Sequence, residues 1–234
     1  MLTLSKSLLK YLTVSKKRMK MTLAQWQQTL KDPSDFILQA STILESDGWQ
    51  PFPIGMSYKW VDFPELWNEF QIGDHEQLLL LAVYKGSDSK RRPTPINRAS
   101  IVKSLELKGF RNLTFDFPKY LRVLKHYKFV VSPEGNGIDC HRTYEALMAG
   151  CIPIVEDKPE VRKKFQGCPV LYTKDYKELN TLYLLKQYEK MLNTEYDFSR
   201  LLYSSYPQEE QKSIKESCDY WMNKTRPLFP PFYK

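Results

Sequence analysis

From residue 78 onward the chain alternates short apolar runs with amphipathic segments, and this alternation limits its fold more than any other feature. Runs rich in β-branched and aromatic residues, bounded by polar, Gly or Pro positions, predict strands at 78–83, 113–115, 128–132, 152–155 and 170–172. Apolar spacing predicts helices over 98–107, 120–126, 140–149, 161–165, 179–192 and 209–221. Strands alternating with helices build a mostly parallel sheet covered on both faces, so the expected fold class is α/β, with a Rossmann-like domain over 78–234. Residues 1–77 read differently, with helical patterns near 23–31, 35–45 and 63–70 and a loop at 50–55 that holds Pro51 and Pro53. For the last helix, Asp62 is placed as N-cap, Pro64 suits the first turn and Glu65 completes a capping box. Strands are hard to find in this region, which is expected to be a reduced, largely helical N-terminal part.

The chain carries 35 basic and 27 acidic residues, a net charge of +8. Residues 1–31 hold Lys6, Lys10, Lys16, Lys17, Arg18, Lys20 and Lys31 with no acidic residue, so the remainder is nearly neutral. Leu2, Leu4, Leu8, Leu9 and Leu12 interleave with these cations, which suits peripheral contact with a membrane surface or a protein through residues 1–31. A second basic group, Lys85, Lys90, Arg91, Arg92, Arg98 and Lys103 against Asp88 alone, follows the first C-terminal strand and reads as an anion-binding loop. The longest apolar run, 78–84, has seven residues, against about 20 for a membrane span, and the first twenty residues lack the apolar core of an export signal. The four cysteines form no Cys-x-x-Cys pair, so reduced thiols and a cytoplasmic location are expected.

Most of the chemistry lies in residues 132–155, SPEGNGIDCHRTYEALMAGCIPIVED once Glu156 and Asp157 are added. A strand ends at Ser132, a loop with Gly135, Asn136 and Gly137 follows, and a helix begins near Asp139, the expected N-cap. Such a loop exposes backbone N–H groups, and the helix N-terminus adds positive potential, which suits phosphate. At 100° per residue, Cys140, Tyr144, Leu147 and Cys151 share a face that should pack on the sheet, while His141, Arg142 and Glu145 share the other with Ala149. Arg142 can fork onto phosphate oxygens, and Glu145 can accept hydrogen bonds from two sugar hydroxyls.

The residues from Ser132 to Arg142, with Tyr144-Glu145-Ala146-Leu147 and Gly150-Cys151-Ile152-Pro153-Ile154-Val155, resemble the nucleotide-sugar motif of exostosin-like glycosyltransferases, among them small members encoded by large algal viruses, the chloroviruses. The match is dense over about 25 residues and looser over roughly 78–175. That resemblance implies a GT-B fold of two Rossmann-like domains, and a glycosyltransferase that moves a sugar from a UDP-sugar such as UDP-xylose to an oligosaccharide or glycoprotein acceptor. For a viral member the compartment would be the host cytoplasm. It further implies that Glu145 binds the donor ribose, that Arg142 and Arg98 bind the diphosphate, and that Gly135, Asn136 and Gly137 face the phosphates, with Glu134, Asp139 and His141 near the sugar. The chain has no Asp-x-Asp pair, so an inverting, metal-independent transfer with no cofactor is implied, with arginine and helix-dipole stabilisation of the leaving nucleotide. Residues 1–77 are too few for the full acceptor domain of such an enzyme, so the acceptor side is expected to be reduced, rearranged or supplied by another chain.

Inverting transfer needs a base within reach of the acceptor hydroxyl. Asp139, His141, Asp47 and Glu45 are the candidates; Asp74, His75 and Glu76 precede the first strand of the sheet, at the wrong end of it. Two other readings compete. One is a noncatalytic nucleotide-sugar-binding or regulatory protein. The other is a nucleic-acid-binding protein using its basic arm and aromatic residues, although 15 Tyr, 12 Phe and 5 Trp spread through a neutral body fit a core better than a stacking surface.

Overall fold

The structure, a computed structural model, describes residues 19–40, 54–92 and 96–225. Its centre is a parallel four-stranded sheet of β2 (Gln77–Leu80), β3 (Tyr127–Val131), β4 (Ile152–Glu156) and β5 (Leu171–Thr173), in that spatial order. Register pairs Leu79 with Phe129, Val131 with Ile154, and Val155 with Tyr172. Helices α3 (Arg98–Glu106), α4 (Phe117–Leu124), α5 (His141–Met148), α6 (Pro159–Lys164) and α7 (Thr181–Leu192) connect and flank the strands. The fold is therefore mixed α/β with a Rossmann-like sheet. Local sequence starts several helices: Asn97, Asp116 and Asn180 each accept a backbone N–H two or three residues into α3, α4 and α7.

The strand expected at 113–115 does not form as a ladder. Leu113 donates its N–H to the Leu81 carbonyl at 2.8 Å, and the Asn112 side-chain amide takes both the N–H and the carbonyl of Val83, at 2.9 and 3.2 Å. A side chain thus supplies the pairing that a peptide group gives in a regular strand, and the segment runs along the β2 edge that β3 leaves free. Counted as an irregular fifth member, it gives the order 2-1-3-4-5, which reverses between β2 and β3. Such a reversal opens a crevice at the carboxyl ends of the strands.

The N-terminal region differs from expectation in three places. A short strand β1 (Lys20–Thr22) pairs antiparallel with β6 (Glu195–Asp197), so this region is not purely helical. Helix α1 (Leu23–Gln27) is shorter than the 23–31 pattern, and Pro33–Asp35 makes one 3-10 turn before Phe36 and Leu38 enter extended bridges to Leu202 and Met56; the remainder of the expected 35–45 helix lies outside the described residues. Asp62 caps nothing: it ends the 3-10 turn Tyr58–Asp62, and the turn Pro64–Leu66 leading into α2 (Trp67–Gln71) starts at Phe63 without a side-chain cap.

These residues share their core with the sheet. Trp26 stacks on Phe198 at 4.2 Å and donates its indole N–H to Leu147 at 2.7 Å, while Trp60 and Phe70 are fully buried. Lys31, one of the seven cations of the basic arm, is buried too. Its ammonium lies 4.6 Å from the Trp26 ring centroid, and burial lowers its pKa to about 7, so it is no surface charge for a membrane. Helix α8 (Gln208–Thr225) is the last element among the described residues. Among the described residues no helix is long and apolar enough to cross a membrane.

Candidate active site

A cleft of about 1490 Å³ opens at the carboxyl edge of the sheet, at the β2/β3 reversal. Its walls are the chain after β2 (82–87), the edge segment 112–117, the loop after β3 with the start of α5 (135–142), and residues 54–59 of the N-terminal region. Glu145, Arg142, Arg98, Gly135, Asn136, Gly137, Asp139 and His141 all line it. Glu134 does not, nor do Asp74, His75 and Glu76. Glu45 and Asp47 lie outside the described residues.

The loop after β3 is held from beneath by arginines. Arg98 donates to the carbonyls of Glu134 and Pro133 at 2.8 and 2.7 Å and to Ser87 Oγ at 2.5 Å. Arg92 joins Asp88, Glu156 and the Glu134 carbonyl, and Arg91 joins the Glu134 carboxylate at 2.7 Å and the Gly135 carbonyl at 3.1 Å. Arg91 and Arg92 of the expected anion-binding loop are therefore consumed as internal braces. Arg98 is different, because its guanidinium bonds only neutral acceptors and keeps its charge directly under Gly135. A Cβ on Gly135 would stand 2.8 Å from Arg98 Nη2, so a larger residue there would push the guanidinium away from the loop.

Glu134 faces inward, between Arg91 and Lys158, whose ammonium is 2.5 Å away. Burial opposes its ionisation, but Lys158 and Arg91 outweigh burial and hold its carboxyl below the usual range. Its carboxylate braces the loop through Arg91 and Lys158 and is not part of the cleft lining. Replacing Arg98 by methionine leaves the Pro133 carbonyl without its charged donor and the Glu134 carbonyl with Arg92 alone, and the protein should lose about 2–3 kcal/mol in urea unfolding. Unchanged stability would mean that the loop stands without this brace.

Helix α5 begins at His141, not at an Asp139 cap. The N-cap is Cys140, whose side chain makes no capping bond. Asp139 is drawn away by other donors: the Tyr144 hydroxyl at 2.7 Å, the Ile54 N–H at 3.2 Å and the Lys164 ammonium at 3.4 Å. The first N–H groups of α5 are consequently uncapped where they meet the cleft, a favourable place for an anion. Within the loop, the Gly135 N–H bonds the Gly137 carbonyl and the Glu134 N–H bonds Glu156, whereas those of Asn136 and Gly137 bond no other described residue.

The two expected faces of α5 exist, yet neither meets bulk solvent, since Thr143 to Met148 are all buried. Tyr144, Leu147 and Cys151 pack inward as expected; Cys140 instead lines the cleft, where burial raises its pKa and keeps it a thiol. The polar face is roofed by residues 54–59. Glu145 is 4 % exposed, and burial pushes its pKa up to about 7 against the pull of Arg142, the Ser57 N–H, Tyr120 and Lys59. Arg142 carries a buried Nε with no hydrogen-bond partner among the described residues, and its guanidinium stands 6.0 Å from the Tyr120 ring centroid. The buried Tyr120 hydroxyl, close to both, also lacks a well-aligned partner among the described residues. Buried polar atoms left unpaired cost about 1–3 kcal/mol each, so two such groups beside a buried carboxyl at one cleft wall mark a place built to meet polar ligand atoms.

His141 belongs to the same wall. Its Nδ1 donates to the Gly55 carbonyl at 2.8 Å, which assigns the basic lone pair to Nε2. Burial lowers its pKa against the opposing effects of Gly55 and Asp139, so the ring is neutral near pH 7. Gly55, Ser57, Lys59 and Tyr120 were not singled out from the sequence. All act by long-range packing, and no local pattern announces them.

The parallel sheet with its flanking helices and switch-point cleft is that of a Rossmann-like glycosyltransferase domain. A family model described as the RXYLT1 C-terminal domain matches residues 101–217, half of the chain, and the chain belongs to that family, which is exostosin-like. The matched segment contains the whole of α5 and its loop and begins three residues after Arg98. No curated protein matches the chain.

Proposed function

We propose that this protein is an inverting, metal-independent glycosyltransferase that uses a nucleoside-diphosphate sugar, a UDP-sugar such as UDP-xylose, and passes the sugar to a glycan or glycoprotein acceptor. One observation carries the reading: the buried carboxylate of Glu145, the unpaired Nε of Arg142, the charge of Arg98 and the uncapped start of α5 converge on one cleft at the carboxyl edge of the sheet. In this reading Glu145 accepts from the ribose diol, and the diphosphate lies on the Asn136 and Gly137 N–H groups over Arg98, with Arg142 beside it. His141 Nε2 takes the proton of the acceptor hydroxyl. The acceptor oxygen bonds the sugar C1 as the C1–O bond to the diphosphate breaks, and the arginines and α5 N-terminus stabilise the departing charge.

The family match and the neutral, oriented ring of His141 favour an enzyme over a noncatalytic binder. The test is a thermal-shift and calorimetric panel of UDP, GDP, CDP and their sugars, with and without a divalent cation, followed by turnover with saccharide acceptors. Selective stabilisation by uridine nucleotides without metal, then sugar transfer, is the expected result. Nucleotide binding with no transfer to any acceptor would favour the noncatalytic reading, and no nucleotide binding at all would sink both.

A further inference from the structure

We propose that Arg92 is a positioning residue for the donor diphosphate: by binding Asp88 and Glu156 together it keeps both carboxylates off Arg98 and leaves the Arg98 charge to the ligand. The proposal rests on the transferase reading and extends it to a residue outside the cleft lining.

Arg92 reaches this place because the chain after β2 turns back on itself. The Asp88 carbonyl accepts the Arg91 and Arg92 N–H groups at 3.0 and 2.8 Å, and the Arg92 side chain returns to Asp88 Oδ2 at 2.9 Å. The same guanidinium donates through Nη1 to Glu156 at 2.7 Å and through Nη2 to the Glu134 carbonyl at 3.2 Å. Arg92 and Asp88 are both buried, so little water screens these charges. A planar guanidinium can bridge two carboxylates at once, which suits arginine here better than lysine.

Arg98 lies within reach of the same acids. Its backbone N–H donates to Asp88 Oδ2 at 2.8 Å, its Nε shares the Glu134 carbonyl with Arg92, and its Nη1 bonds Ser87, the neighbour of Asp88. Asp88 Oδ1 is buried and bonds nothing among the described residues. A buried carboxylate that loses its cation is strongly driven to find another, and for Asp88 the guanidinium at hand would be that of Arg98. With Arg92 in place, Arg98 bonds only the Glu134 and Pro133 carbonyls, Ser87 and Cys140. Three cations, Arg91, Arg92 and Lys158, balance the three carboxylates Asp88, Glu134 and Glu156, so the surplus charge is that of Arg98, against Gly135. Without Arg92 the cluster has no surplus, and Asp88 competes with phosphate for Arg98.

The test compares UDP with uridine, which has the same base and ribose and no phosphate. Calorimetry follows both ligands on the wild type, Arg92→Gln, Arg92→Lys and the double variant Arg92→Gln/Asp88→Asn. Expected are UDP binding about tenfold weaker in Arg92→Gln with uridine within about twofold of wild type, and UDP binding restored to within about threefold in the double variant, where no Asp88 charge is left to draw Arg98. Arg92→Lys keeps the charge but cannot bridge both carboxylates; its UDP affinity should fall between wild type and Arg92→Gln, and it carries the test if Arg92→Gln does not fold. Wild-type UDP affinity in Arg92→Gln, or in Arg92→Lys where only that variant folds, overturns the proposal. Equal loss of UDP and uridine overturns it too, by making Arg92 a brace and nothing more. A double variant as weak as Arg92→Gln would mean that Arg92 attracts the phosphates by its own charge, which also overturns it. A wild type that binds no UDP fails earlier, at the transferase reading itself.

Discussion

Calorimetric titration of UDP into the Glu145→Ala protein is expected to show binding weaker by about 3–6 kcal/mol, since two charge-assisted hydrogen bonds at about 1.5–3 kcal/mol each are lost. The pH dependence gives the assignment a second, sharper signature. Burial pushes the Glu145 pKa from 4.5 to about 7, and a diol is held better by the carboxylate than by the acid. Affinity in the wild type should therefore rise between pH 6 and 8 and level off above. Uridine, which has the ribose without a titrating phosphate, should show the same slope, and Glu145→Gln should abolish it for both ligands. The ligand-free protein responds in the opposite sense. Its folded state holds the Glu145 proton up to about pH 7 while the unfolded chain releases it near 4.5, so this stabilising contribution is complete at low pH and is lost as pH rises toward 7. Glu145→Gln should flatten that fall, making the variant the more stable protein at pH 8. A uridine affinity that ignores both pH and the Glu145→Gln change would remove Glu145 from the ribose site.

Glu145 also shows how far the sequence could be read. Its identity, its shared face with Arg142 and His141, and the strand-loop-helix context were legible because helical period and glycine placement are local. So were four of the sheet strands, whose apolar runs are continuous. What set the chemistry of the site was not legible. The raised pKa of Glu145 needs the roof formed by residues 54–59, brought from more than eighty positions away, and no pattern around Ser57 or Lys59 foretells it. Asp139 had the sequence of an N-cap, but the Tyr144 hydroxyl and two tertiary donors, the Ile54 N–H and the Lys164 ammonium, outcompete the local N–H groups and leave the helix start open. Asp62 failed in the same way, through a 3-10 turn that ends on it. The edge segment near Leu113 had strand propensity, and Asn112 replaced the ladder with a side-chain amide. Basic residues were easy to count between 85 and 103, yet whether each faces a ligand or a buried carboxylate depends on Glu134, Glu156 and Asp88. Of Arg91, Arg92 and Arg98, Arg98 alone has no carboxylate on its guanidinium.

If His141 is the base of the proposed transfer, replacing it by alanine should lower kcat by about 10²–10⁴-fold while leaving the UDP dissociation constant unchanged, because in that reading the ring meets the acceptor hydroxyl and not the nucleotide. The Gly55 carbonyl is the reason to expect the upper part of that range. By accepting from Nδ1 it selects the tautomer with a basic Nε2 and fixes the ring plane, so the base needs no reorientation before each transfer. Burial lowers the His141 pKa, and wild-type kcat/KM should accordingly lose its acid limb below the ordinary histidine range, with the enzyme active at pH 7. That limb should vanish in His141→Gln, whose amide can keep the bond to Gly55 but cannot take a proton. The glutamine variant separates chemistry from architecture: if it folds, binds UDP and transfers sugar at the wild-type rate, the imidazole only pins residues 54–59 over α5. With Asp139 held by Tyr144, Ile54 and Lys164, the proton would then have to leave through a group on the acceptor side of the cleft.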